Sequence, residues 1–286
     1  MLTGLILSLV GIASSMGMAT AYKVSALRGC DRPTVLAVER VFLLAVITPA
    51  VFWLGDSELS AGALILGALS GVLLVFGRLR YVHALEFGPA SVSWFVLTLT
   101  QVLPVAAAIF VFGERPNPLQ VAGISLVLPA LAALSGQENR AQRGFDFGRW
   151  ARLMAVAAVC EAVYGVFFLL VRELGLGTSR NLYLLTYNVT ALVTALALRG
   201  SAAARPPNRW EVRVGALSGV TTAVSAIASM YAIFHLPAYV YFPLVTSGVV
   251  VLFTALSIVL WSERLTPRQW TGISLGLVAI VLVCLE

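Results

Sequence analysis

The chain has 286 residues, 59% of them apolar and only 11% charged, with a mean hydropathy of +0.93. A soluble domain carries about 25% charged residues, so this chain lacks the charge to cover a water-facing surface, and its long apolar runs equally exclude disorder. The net charge of +6 comes from one lysine and eighteen arginines against thirteen acids, spread through loops rather than gathered in a stripe. That distribution speaks against nucleic acid as a partner and for membrane lipids with anionic headgroups.

Crossing about 30 Å of hydrocarbon takes roughly 20 helical residues. Apolar runs of that order predict helices over 2–22, 34–54, 59–77, 89–112 and 118–135 and, after a loop over 136–152, over 153–171, 182–198, 214–233, 237–261 and 270–285. The runs are continuous rather than alternating, which selects helices over a barrel. The expected fold is all-α, integral to the plasma membrane and multi-pass. Ala19-Thr20-Ala21 imitates a signal-peptide cleavage site, but Met1-Leu2-Thr3 carries no charged side chain, so the first run is read as a retained span. Fifteen basic residues fall in the loops after odd-numbered helices and three in the opposite loops, which places both termini outside. Cys30, Cys160 and Cys284 are too far apart for a zinc site, so neither metal nor cofactor is expected.

The two halves of the chain resemble one another. Gly113-Glu114-Arg115-Pro116-Asn117-Pro118-Leu119-Gln120-Val121-Ala122-Gly123-Ile124-Ser125-Leu126 aligns with the fourteen residues from Ser262 to Leu275 at an offset of 149, with eight identities. Ser70-Gly71-Val72 matches Ser218-Gly219-Val220, and Pro89-Ala90 matches Pro237-Ala238, both at an offset of 148. Residues 1–136 and 153–286 then form two five-helix repeats joined by residues 137–152. An odd number of helices per repeat forces opposite orientations in the bilayer, the inverted-repeat plan of many secondary transporters.

At these residues the chain resembles the drug/metabolite transporter superfamily, in particular its EamA-type ten-helix members. The features that carry the resemblance are the Gly/Ser-Glu-Arg hinge ending helices four and nine and the Pro-x-Gln-x-x-Gly-Ile-Ser-Leu run in helices five and ten, with Lys23 and Arg40 at positions where that family often has basic residues. The resemblance implies a central cavity lined by helices one to four and six to nine, with helices five and ten outside it. It further implies export of amino acids or other metabolites, or exchange of solutes such as sugar nucleotides. Gly272 and Gly276 give helix ten a small-residue face suited either to a homodimer or to packing within the monomer.

An ionisable group within a span costs about 2.5–3.5 kcal/mol on insertion scales, so each one is a candidate functional group. Glu161, between Cys160 and Ala162 in helix six, is positioned to exchange a proton, to bind a substrate amine, or to partner an arginine. Glu39 and Arg40 lie about 100° apart around helix two, so they are expected to find separate partners or to reach the interface. Arg40 is expected to be a substrate-carboxylate or structural residue, and Glu39 to have a similar substrate-binding or structural role. His83, beside Arg78 and Arg80, is expected to be a solvated interfacial group or a proton relay, as is His235. Glu114 and Glu263 are expected to cap helices five and ten. Trp94 and Tyr241 are candidates for the cavity lining or for the interfacial aromatic belt, Tyr187, Asn188 and Tyr164 are candidate cavity-lining residues, and Pro104 and Pro243 are expected to interrupt helices four and nine.

Enzyme readings find no support. The three aspartates, Asp31, Asp56 and Asp146, all fall in loops, and no GxxxxGK[ST] phosphate-binding run occurs. The sequence therefore points to a secondary transporter for a small-molecule substrate, foremost an exporter of amino acids or similar metabolites, with proton coupling through Glu161. Transport of a lipid-linked sugar or sugar nucleotide and a non-transporting scaffold subunit are the alternatives.

Overall fold

The computed structural model describes residues 1–84, 87, 93, 96, 97, 99–134, 146–199, 206–261 and 267–285. Among these residues every regular element is helical: α1 (Leu2–Leu27), α2 (Arg32–Leu54), α3 (Ala61–Ala84), α4 (Val102–Phe110), α5 (Pro118–Leu134), α6 (Phe147–Glu173), α7 (Arg180–Arg199), α8 (Arg209–Ala232), α9 (Ala238–Trp261) and α10 (Pro267–Cys284), with a 3-10 turn at Gly177–Ser179. Five stretches, in α2, α3, α6, the 3-10 turn with α7, and α8, are long and apolar enough to cross a membrane, and α1, α5, α9 and α10 hold shorter apolar stretches. The protein is a helical, multi-pass membrane protein.

Helix starts follow local capping chemistry. The Asp31 carboxylate accepts from the Thr34 N–H at 3.1 Å at the head of α2. Asn208 and Glu211 form a reciprocal capping box on α8. Asp146 accepts from the Arg149 N–H at 3.1 Å, which lets α6 begin at Phe147, inside the segment expected to be loop. At the end of α4, Gly113 adopts φ 74°, a left-handed conformation available to glycine at little cost, and the Glu114 N–H returns to the Ala108 carbonyl at 3.0 Å.

Pro104 interrupts its helix as expected. Proline has no N–H for the Thr100 carbonyl and its ring crowds that carbonyl, so Thr100 and Gln101 form a turn and α4 starts only at Val102. The matching expectation for Pro243 is corrected, because α9 runs through it from Ala238 to Trp261. Pro243 is only the sixth residue of that helix, so it removes a single bond near an end where N–H partners are already missing.

The chain forms two compact units, each drawing on both halves of the sequence. The first comprises residues 1–75 and 170–235, the second residues 76–169 and 236–286. In the first unit α8 packs on α1 and α2, and α7 on α2. In the second, α5 packs on α10, and α9 contacts α4, α5 and α10. Gly276 meets Val251 within the same unit: a Cβ there would lie 2.9 Å from that side chain, so this point of the α10 small-residue face is occupied inside the chain.

Candidate functional site

The first unit holds a buried polar relay across three helices. Glu39 and Arg40 on α2 are 0% and 3% exposed, and Asn188 on α7 and Ser218 on α8 are both fully buried. The Ser218 hydroxyl donates to Glu39 Oε2 at 2.8 Å, and Arg40 Nη1 donates to Asn188 Oδ1 at 3.1 Å. The expectation that Glu39 and Arg40 do not pair is overturned, since Arg40 Nη2 lies 3.4 Å from Glu39 Oε1. Helix geometry separates the two Cβ directions. The long guanidinium arm folds back over that arc because, with water excluded, a buried charge left alone costs far more than a bent rotamer.

Around this relay two helix crossings repeat one another. A Cβ on Gly71 of α3 would lie 2.5 Å from the Tyr187 carbonyl, 2.8 Å from the Ala191 nitrogen and 2.9 Å from Thr190 Cβ. A Cβ on Gly219 of α8 would lie 2.5 Å from the Glu39 carbonyl, 2.8 Å from Phe42 Cβ and 3.0 Å from the Leu43 nitrogen. Gly67 against Thr186 and Tyr187, and Gly215 against Val38 and Glu39, repeat the relation one turn earlier. Each residue stands 148 positions from its counterpart, the spacing of the Ser-Gly-Val repeat, and Arg40 and Asn188 are themselves separated by 148. The serines beside the glycines also correspond: Ser218 bonds Glu39, while Ser70 shares a hydrogen bond of 3.0 Å with the Tyr183 hydroxyl. Tyr183 and Tyr187 stack at 6.2 Å and are both buried.

The second unit presents a different stripe. Glu161 is the fifteenth of the 27 residues of α6 and half-buried. Tyr164, Gly165 and Phe168 follow on the same helical face at spacings of three, four and seven. Opposite Gly165 stand Pro104, whose ring a Cβ would approach to 3.2 Å, and Gln101. The interrupted start of α4 therefore lies against the helix that carries the mid-span carboxyl. Arg80 of α3 and Glu161 are both within electrostatic reach of Cys160. Tyr241 stacks on Phe168 at 6.2 Å and meets Phe242 edge-on at 5.1 Å.

The remaining candidates are dispersed. His83 is exposed in the last turn of α3, 5.6 Å from the Phe87 ring. His235 Nδ1 lies 2.9 Å from the Tyr231 carbonyl. Trp94 and Glu263 lie outside the described residues. Glu114 does not cap α5 but α9, its two oxygens accepting from the Ala238 and Tyr239 N–H groups at 2.9 and 3.1 Å. The start of α5 is served instead by a capping box between Asn117 and Gln120, with both bonds at 2.9 Å, an N-x-x-Q signal legible in the sequence.

Sequence reasoning also missed a cluster at the ends of α2, α7 and α8. The Arg180 guanidinium pairs with Asp56 and sits 3.8 Å from the centroid of the Tyr231 ring, while the fully buried Asn181 donates to the Tyr231 hydroxyl at 2.9 Å. Its members are scattered over 175 positions, so no local pattern announces it. Among the described residues no group of three or more His, Cys, Asp or Glu is arranged to hold a metal ion.

A profile of the family described as sugar transport protein matches residues 40–285 of this chain. The match shows a membrane transporter family without specifying the EamA type. No curated protein matches the sequence. A solved crystal structure of a protein aligns with a TM-score of 0.77 over 98% of both chains at 20% identity, which shows the fold alone.

Proposed function

The chain belongs to the sugar transport protein family, and from that membership we propose that it is a secondary transporter carrying a small polyhydroxylated solute of the monosaccharide class across the plasma membrane. The mechanism is alternating access of two inverted five-helix halves of EamA-like type. The observation that supports it is the doubled crossing of α3 on α7 and α8 on α2, related by a shift of 148 residues. Two equivalent crossings suit a protein that must offer one site to either side of a membrane. The interior chemistry also suits a neutral solute: Ser70, Ser218, Asn188 and the tyrosines donate and accept hydrogen bonds, and their rings offer flat apolar faces. In this conformation Ser70 bonds Tyr183, Ser218 bonds Glu39 and Asn188 accepts from Arg40, and a solute hydroxyl takes the place of one such partner. Glu161 is the coupling carboxyl.

Amino-acid export is the second reading. It is favoured by the Glu39–Arg40 pair, which offers a cation to a carboxylate and an anion to an ammonium group. Counterflow in proteoliposomes with labelled monosaccharides and amino acids separates the two. Accumulation of a monosaccharide, abolished by excess unlabelled sugar, is the expected result. Movement of amino acids alone transfers the assignment to the second reading, and movement of neither class, by exchange or under a pH gradient, removes both.

A further inference from the structure

We propose that Arg28, Trp210 and Arg213 form a docking site for the headgroup phosphate of an anionic phospholipid. The Arg28 guanidinium carbon stands 4.1 Å from the centroid of the Trp210 ring, and that of Arg213 stands 5.5 Å from the same centroid. All three side chains are exposed. A guanidinium stacked on an indole uses its flat face there, which leaves its N–H edge free for the paired hydrogen bonds that a phosphate accepts. An exposed tryptophan is itself at home at headgroup depth.

The acidic groups nearby are engaged in hydrogen bonds within the fold. Fully buried Glu211 accepts from the Asp31 N–H at 2.9 Å and from the Asn208 N–H at 2.8 Å. Asp31 accepts from the Thr34 N–H and hydroxyl at 3.1 and 2.5 Å. Among the described residues neither Arg28 nor Arg213 has an ion-pair partner, and Arg209 adds a third exposed cation on the first turn of α8. The surface is fixed in place, because Glu211 ties the α1–α2 turn that bears Arg28 to the helix end that bears Trp210 and Arg213. A cationic, aromatic, membrane-spanning helix end whose acids are occupied matches a lipid phosphate by charge and by depth.

The test is titration of the purified full chain in non-ionic detergent with fluorescent phosphatidylglycerol, fluorescent phosphatidylcholine and, as competitor, inorganic phosphate. Saturable binding of phosphatidylglycerol is expected, weaker by about five-fold for each arginine removed and about 25-fold in Arg28→Gln/Arg213→Gln. The control Arg149→Gln/Arg152→Gln, which removes two exposed arginines from the second unit, should bind as the parent does. Equal affinity for phosphatidylcholine, an unchanged affinity in the first double variant, or an equal loss in the control overturns the site. Displacement of the lipid by phosphate at matching concentrations overturns the assignment to lipid.

Discussion

Arg40 illustrates how burial overrides helix geometry at the scale of a single residue. Its neighbour Glu39 points elsewhere around α2, yet with both side chains removed from water the pair closes to 3.4 Å, flanked by Ser218 and Asn188. Removing one partner leaves the other charge buried, so Arg40→Gln should lose about 3–5 kcal/mol of stability in denaturant unfolding, whereas Glu39→Gln/Arg40→Gln should recover most of it. A double variant as unstable as the single one means that the pairing is not what Arg40 contributes. Glu161 is the opposite case. Its placement at mid-span was legible from the distances to Arg152 and Arg172, and the structure adds Arg80 near the adjacent Cys160 and Gln101 and Pro104 against Gly165, one turn along α6. Glu161→Gln should abolish the dependence of solute movement on a pH gradient in proteoliposomes while thermal stability stays within about 0.5 kcal/mol. Persistence of that dependence removes Glu161 as the coupling group.

At the scale of the helix the decisive residues are small. The Ser-Gly-Val repeat was visible in the sequence, but what its glycines do was not, because a glycine in an apolar run looks the same whether it faces lipid or another backbone. Gly71 and Gly219 each face a carbonyl that a methyl group would approach to 2.5 Å. Gly71→Ala and Gly219→Ala should therefore each force the helices apart at a cost of about 1–3 kcal/mol. Gly148→Ala, whose Cβ would meet only Asp146 Oδ1 at 3.6 Å, should stay within about 0.5 kcal/mol in the same thermal-unfolding measurement. Unequal losses at the first two positions would break the equivalence of the crossings. Pro104 and Pro243 teach a related lesson: proline was legible as a breaker, but whether it breaks depends on its distance from the helix end. The Asn117–Gln120 box is also legible, three residues after the more conspicuous Glu114.

For the whole molecule, the sequence halves and the compact units are different divisions of the same chain. Each unit takes helices from both halves, so neither half can bury its own helix faces alone. A chain divided between residues 140 and 141 should yield two fragments that fail to give a thermally stable species separately and co-purify as a stable pair when expressed together. Stable folding of residues 1–140 by themselves would contradict the partition into units. The sequence by itself determined what depends on composition and local pattern. Apolar run lengths required membrane-spanning helices, internal similarity pointed to a duplicated chain, and the scarcity of charge singled out Glu39, Arg40 and Glu161. Only the tertiary structure decided the pairings: Arg40 with Glu39 and Asn188, Glu114 with α9 rather than α5, and Arg28 with Trp210 and Arg213. These join residues up to 182 positions apart, and a side chain's partner across such a distance is chosen by which helix faces pack together.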